Sequence, residues 1–407
     1  MPLAMLLNYA HIENYSIHRE SSLALEPVTV LIGRNGGGKS TLLEALLLLG
    51  RFARGAVPAA FTDSGPYSYR ARLFHGAADS EPMRFEVRFA PGEGAGQVTY
   101  RLEIGLENDV PVVQRELVST EEYGTLFDRD SGEFAAPHGL GAVGADQTVI
   151  ATARAAPSEA RSSEQVRLLR TCSFALGRVL RFRFDPFAIG GLGGVYPDDE
   201  EADPREPDLG FRGENTAGFL YWLRDFRNRV FRELQTAMAE LVPGFGTFEF
   251  NTARPDPDKV EFSIRFSDDR GLVASRNLSA GTLMMVALVC VTKLRGRGTP
   301  PRPKVICVEE PELGLTPAAT RAIFDRLTAL RDDSQLVVTS HSAHLWHPAM
   351  GQASTTVLRV IPRDGCSTIE TVRDAILREE GPAGFTKLAQ GGGMGIEQAL
   401  RTMEGLG

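Results

Sequence analysis

The chain has 407 residues, 43% hydrophobic and 24% charged, with 44 basic against 52 acidic side chains and a net charge of −8. That length allows one large domain or two smaller ones, and the composition is that of an ordinary globular protein. The negative balance excludes a globally basic nucleic-acid binder, so nucleic-acid contact has to come from a local patch.

The stretch MPLAMLLNYAHIENY lacks a basic n-region and turns polar within a few residues, so no targeting signal is expected and a cytoplasmic location is. Residues Leu6 to Ile17 predict a first strand and turn, with Tyr15 as a core aromatic. The β-branched run Val28 to Ile32 reads as a buried strand. It leads into Gly33-Arg34-Asn35-Gly36-Gly37-Gly38-Lys39-Ser40, which fills every fixed position of G-x-x-x-x-G-K-[ST]. A helix with Leu42, Leu43, Leu46, Leu47 and Leu49 on its apolar side follows. Strand, glycine loop and helix start in this order are the context of a P-loop.

That chemistry needs these residue types. Glycines let the backbone approach a phosphate and turn successive N–H groups toward it, and the helix N-terminus adds its positive end. Lys39 is expected to reach the β- and γ-phosphates of ATP, and the Ser40 hydroxyl to bind Mg²⁺. The candidate nucleotide-binding residues here are Gly33, Asn35, Gly36, Gly37, Gly38, Lys39, Ser40 and Thr41.

Alternation over Met83 to Phe89 and Gln97 to Leu106 predicts an antiparallel hairpin, which Pro111 to Leu117 and Thr125 to Phe127 extend. A helix is expected over Ser158 to Leu169 and a basic strand over Arg178 to Phe184. Pro197 to Asp208 reads as an acidic, proline-rich surface loop. Asn215 to Leu241 predicts one long helix with an apolar stripe from Phe219 to Leu241. Its other side carries Arg224, Arg227, Arg229 and Arg232, read first as a solvated face beside Asp225 and Glu233.

Alternating strands over Phe248 to Phe250 and Lys259 to Phe266 lead into Asn277-Leu278-Ser279-Ala280-Gly281-Thr282, which opens an apolar helix over Leu283 to Val291. The next segment, Lys293 to Lys304, is the most basic short loop, with Arg295, Arg297 and Arg302 as candidates for phosphate contact. The apolar strand Lys304 to Val308 then runs into Glu309-Glu310-Pro311-Glu312. Carboxylates at the end of a strand beside a P-loop are placed to hold Mg²⁺ and an attacking water. A third buried strand, Gln335 to Thr339, ends in Ser340-His341-Ser342. Two closing strands, Thr355 to Ile361 and Ser367 to Val372, precede a helix near Asp374 to Glu380 and a Gly391-Gly392-Gly393 tail. The longest apolar runs are too short to span a bilayer. The four cysteines are scattered without a C-x-x-C, and Cys290 and Cys307 sit in apolar runs as core residues.

Together these motifs carry a resemblance. NLSAGT resembles the ABC signature, VICVEEPELGLTP resembles the Walker B and D-loop of the SMC/RecF/OLD group of ABC-type ATPases, and VVTSHSAHL resembles that group's switch-histidine segment. The order along the chain is the family order, and the likeness is clear over about Pro2 to Gly50 and Asn277 to Leu345. The resemblance implies an α/β fold: an ABC-type P-loop NTPase head with a flanking antiparallel β-subdomain and a short helical insert. The expected division is 1–134 for the N-terminal half of the head, 135–245 for the insert and 246–407 for the C-terminal half.

The resemblance also implies roles. Glu310 matches the catalytic glutamate and His341 the switch histidine that senses the γ-phosphate. Glu309 takes the Mg²⁺-associated position, usually an aspartate, beside Ser40. Ser279 and Gly281, at a helix N-terminus, cap the γ-phosphate held by a second copy, so a homodimer or a higher oligomer is implied. Tyr15 occupies the place of the aromatic in the family's "NF" segment. Neither Gln97 nor Gln114, both within expected strands, can be assigned as a Q-loop residue. The chain shows no Asp-x-Asp after His341, so an ATPase without its own Toprim nuclease is expected. The open readings of its task are a DNA-associated ATPase acting on double-stranded DNA in genome maintenance or anti-phage defence, an ATP-gated scaffold governing a separate effector protein, and an ABC transporter subunit. The EEPE sequence and the large insert weigh against the last.

Overall fold

In the computed structural model, the described residues are 6–62, 69–78, 80–90, 96–130, 140, 142–194, 209–252, 258–294, 304–332, 334–350, 352 and 354–378. Arg295, Arg297, Arg302, the acidic stretch Pro197 to Asp208 and the glycines at 391–393 lie outside them. The chain divides into two units, and each is described by itself. The first comprises Met1–Leu180, Gly296–Cys307 and Arg331–Gly407; the second comprises Arg181–Arg295 and Val308–Leu330.

The first unit opens with β1 (Leu6–Tyr15), β2 (His18–Ala24) and β3 (Val28–Ile32), then α1 (Lys39–Phe52), α2 (Val57–Thr62) and α3 (Tyr69–Arg72). Four antiparallel strands follow: β4 (Met83–Ala90), β5 (Val98–Glu107), β6 (Val110–Thr120) and β7 (Gly124–Arg129). With β1 and β2 they form one six-stranded sheet in the order β2-β1-β4-β5-β6-β7. The β5–β6 turn is Asn108-Asp109, both at positive φ, the geometry that a two-residue hairpin requires. Alternation does the rest: Phe85, Val87, Phe89, Tyr100, Leu102 and Ile104 are buried, while Arg88, Arg101 and Glu86 pair on the other face. Tyr15 is fully buried, edge-on to Phe85, and so is a core aromatic.

Next come α4 (Val149–Ala155), α5 (Glu164–Leu176) and β8 (Val179–Phe182). The helix expected from Ser158 starts later, because a tight turn at Ala160–Ser162 intervenes before Ser163 turns the chain into α5.

The second unit, entered within β8, holds α6 (Pro186–Ile189), β9 (Gly193–Gly194), α7 (Thr216–Phe226), α8 (Asn228–Leu241), β10 (Phe245–Thr252), β11 (Lys259–Phe266), β12 (Leu272–Ala274) and α9 (Ala280–Val291). The single helix expected over Asn215 to Leu241 is two. Arg227 leaves helical geometry at φ −139, ψ 49. The apolar stripe continues across the break because each half has its own partner: α7 packs on β11, and α8 on β10 and α9. α9 is apolar all round, as a helix surrounded by protein should be. β13 (Val305–Glu309) begins in the first unit and ends in the second, where α10 (Pro317–Thr328) starts with the Thr316 Oγ1 accepting from the Ala319 N–H and a proline in its first turn.

Back in the first unit, β14 (Gln335–Ser340), α11 (Ala343–Ala349), β15 (Thr355–Arg363) and β16 (Cys366–Thr371) close the sheet, and helical residues follow at 372–378. Its order is β16-β15-β3-β14-β13-β8. β3 is parallel to both β14 and β15 and buried at every position, which is why its sequence is a continuous apolar run. The side-chain amide of Gln335 ties the start of β14 to β1: its Oε1 accepts the Leu7 N–H at 3.1 Å and its Nε2 donates to the Leu7 carbonyl at 2.7 Å. Cys290 and Cys307 are fully buried core residues.

Candidate nucleotide-binding site

The residue after β3 emerges with strands on both sides. Gly33 is that residue, and a Cβ there would stand 2.2 Å from the Val360 carbonyl oxygen of β15, a contact no side chain survives. Gly36 and Gly38 take φ 74 and 98, which glycine adopts without strain. The Gly37 N–H donates to the Arg34 carbonyl at 3.1 Å and closes the turn. Arg34, Asn35 and Gly36 are exposed, and Gly37, Gly38 and Lys39 are buried.

α1 starts at Lys39 with Gly38 as its N-cap, so no side chain occupies its first orphan amides and no acidic residue lies in its first turn. The Lys39 ammonium donates to the loop carbonyls of Gly33 at 2.8 Å and Arg34 at 3.0 Å. Ser40 and Thr41 follow, half-buried. A loop of this shape offers backbone donors, a helix dipole and a cation to one anion.

The loop has buried support that carries no motif. His18 is fully buried, with Nε2 3.1 Å from the Gly38 carbonyl and Nδ1 2.8 Å from the Ser21 hydroxyl. Burial pushes its pKa below the usual histidine value, against the bond to Gly38. The Ser367 hydroxyl donates to the Gly37 carbonyl at 2.8 Å, the Ser367 N–H donates to Ile17, and Ser21 donates to the Ser367 carbonyl.

β14 runs parallel to β3 with Ser340 opposite Ile32, so His341 leaves the sheet at the same end as Gly33. His341 is exposed, and the Ser342 N–H donates to the buried Ser340 hydroxyl at 2.9 Å. The first unit thus gathers Gly33 to Thr41 and His341 at one end of one sheet.

The other candidates belong to the second unit. Glu309, 3% exposed, accepts from Arg181 Nε of β8 at 2.6 Å, and the Arg181 guanidinium lies over the Phe211 ring. Glu310 has φ 46, a left-handed conformation that costs a non-glycine residue about 1–2 kcal/mol. Its carbonyl accepts the Leu313 N–H at 3.1 Å, winding the following residues into a turn that brings Gly314 to φ 74. Ser279 is exposed and caps α9, its Oγ accepting the Thr282 N–H at 3.2 Å. A Cβ on Gly281 would stand 2.7 Å from the Gly314 carbonyl oxygen, so the NLSAGT segment and the turn after Glu310 meet backbone to backbone. The side chain beside Glu309 is an arginine; Gln114 lies in β6, within the antiparallel sheet.

Among solved structures, an Smc head bound to the C-winged helix domain of ScpA is 15% identical, covers 91% of this chain and 99% of its own, and superposes with a TM-score of 0.52. An Smc head with an extended coiled coil, bound to the C-terminal domain of ScpA and derived from Pyrococcus furiosus, is 14% identical over 99% of both chains, with a TM-score of 0.51. Identities this low speak for the fold alone: a mixed α/β structure with antiparallel sheets, of the SMC-head P-loop ATPase kind. No curated protein matches the chain. A family model described as "AAA domain, putative AbiEii toxin, Type IV TA system" matches residues 28–154 and 180–345. That match takes in the strand before the glycine loop, Glu309 and Glu310 at the end of β13 and the histidine after β14, and the chain belongs to this AAA-domain family.

Proposed function

We propose that the chain binds ATP with Mg²⁺ and hydrolyses it as one half of a cytoplasmic homodimer, whose ATP-driven closure controls DNA-associated activity in genome maintenance or anti-phage defence. The observation that carries the reading is the start of α1: a glycine N-cap with no side-chain cap, and the Lys39 ammonium on the same loop. This is a donor set for phosphate, and it fits the triphosphate of ATP. The half-buried Ser40 hydroxyl, next to Lys39, is a hard oxygen donor that suits Mg²⁺, and Glu309, in the second unit, is a carboxylate of the same donor class that also accepts from Arg181. A bound Mg²⁺ would supply charge neutralisation to the triphosphate.

In this reading Glu310 takes the proton of the attacking water, and His341 contacts the γ-phosphate. Ser279 and Gly281 of a second copy complete the site through a two-fold interface, since the start of α9 is an exposed helix N-terminus. A separate effector protein as the output is the second reading, favoured by a family description that refers to a toxin–antitoxin system.

Calorimetric titration with ATP and Mg²⁺ tests the core of the proposal. Binding by the wild type and its loss in Lys39→Ala are expected; equal affinity in the two would refute the assignment. Turnover stimulated by duplex DNA supports the first output, and an effector that co-purifies without such stimulation supports the second.

A further inference from the structure

We infer that His18 and Ser367 are positioning residues of the nucleotide site, holding the Gly37 and Gly38 carbonyls so that the amides which follow face the anion. The inference rests on the ATP reading above. Each bond is short and shielded: Ser367 Oγ to the Gly37 carbonyl is 2.8 Å, His18 Nε2 to the Gly38 carbonyl is 3.1 Å, and both residues are at most 1% exposed.

In a trans peptide the C=O and the next N–H point in opposite directions. A Gly37 carbonyl fixed on Ser367 therefore turns the Gly38 N–H away from Ser367. A Gly38 carbonyl fixed on His18 turns the Lys39 N–H away from His18. The Gly38 carbonyl also accepts the Leu42 N–H at 3.0 Å, the first bond of α1, so His18 braces the helix start itself.

Chemistry assigns the tautomer. A carbonyl only accepts, so Nε2 carries the proton, and Nδ1 lies 2.8 Å from the Ser21 hydroxyl, whose single proton is shared between Nδ1 and the Ser367 carbonyl at 3.1 Å. Ser367 is itself held by the Ile17 carbonyl and Ser21, so β2, the turn residue before it and β16 form one support. The fit is tight: a Cβ on Gly38 would stand 2.7 Å from His18 Nε2 and 2.9 Å from Ser367 Oγ. The loop glycines thus serve two surfaces, the ligand on one side and this buried tier on the other.

The test compares wild type with His18→Ala, His18→Gln and Ser367→Ala, measuring ATP affinity by calorimetry, KM, kcat and thermal melting. One lost hydrogen bond corresponds to about fivefold in affinity. His18→Ala and Ser367→Ala should therefore weaken ATP about three- to tenfold, with KM rising more than kcat falls. His18→Gln places an amide N–H near the Nε2 position and should recover most of the loss. Unchanged affinity and KM in His18→Ala would overturn the inference. So would a general loss of melting temperature and kcat that His18→Gln does not rescue, since that marks a merely structural role. Failure of the wild type to bind ATP sinks the nucleotide reading itself, whereas intact wild-type binding with unaffected variants sinks only the inference.

Discussion

Arg181 Nε stands 2.6 Å from Glu309 Oε1, although 128 residues separate them along the chain. The two side chains are 13% and 1% exposed, so the pair is buried. A buried pair adds little net stability over an apolar one, but removing one partner deprives the other buried charge of its hydrogen-bonded counter-charge. Arg181→Ala should therefore cost about 3–5 kcal/mol in urea unfolding. The double variant Arg181→Met/Glu309→Leu should regain most of it. A cost for Arg181→Ala within about 0.5 kcal/mol of zero, the usual range for surface substitutions, would show that the pair does not hold this strand end.

Gly281 is in the first turn of α9, where alanine would ordinarily gain about 1 kcal/mol in helix propensity. Here the added Cβ meets the backbone oxygen of Gly314 at 2.7 Å, and a backbone atom cannot swing aside. The clash should win. Gly281→Ala is expected to melt lower than wild type, to bind ATP with near wild-type affinity and to turn over about tenfold or more slowly, because the partner's site is the one it disturbs. Wild-type turnover in this variant would speak against a role for the Gly281–Gly314 contact.

The buried Glu116 carboxyl of β6 sets a pH dependence. Burial pushes its pKa from 4.5 up to about 7, against the Val149 N–H, Arg129 and the Tyr100 hydroxyl, which favour the charged form. The folded-state pKa is raised, so this contribution to stability is fully present below about 4.5 and is lost as pH rises through about 7. A tenfold change in proton affinity corresponds to about 1.4 kcal/mol. The melting temperature of the wild type should fall more than that of Glu116→Gln between about pH 5 and about pH 8. Parallel melting curves for the two proteins would contradict this.

The sequence made the buried strands legible because their apolar runs are continuous: Val28 to Ile32, Val305 to Val308 and Leu336 to Val338 need no partner to be recognised. The glycine loop was legible because a phosphate cradle demands glycine at fixed spacing. The break at Arg227 was not, since periodicity reports which face is buried and is blind to one residue's φ and ψ. His18 and Ser367 were invisible for another reason. They act on carbonyls 20 and 330 residues away, and a polar residue in a strand announces nothing until the strand order is known. Arg181 lay inside an expected basic strand, yet only the β8–β13 pairing makes it the partner of Glu309.

The central claim is that each ATP is shared between the P-loop of one copy and the Ser279 segment of another. The most direct measurement is ATPase turnover of Lys39→Ala and Ser279→Arg, each alone and mixed in equal amounts. Alone, each should be inactive: the first lacks its phosphate cation, and the second blocks its partner's site while binding ATP itself. In the mixture, about half the dimers pair one variant with the other, and one of the two sites in such a dimer is intact, so about a quarter of wild-type turnover should return. Wild-type turnover by Ser279→Arg alone, or no recovery on mixing, would contradict the account.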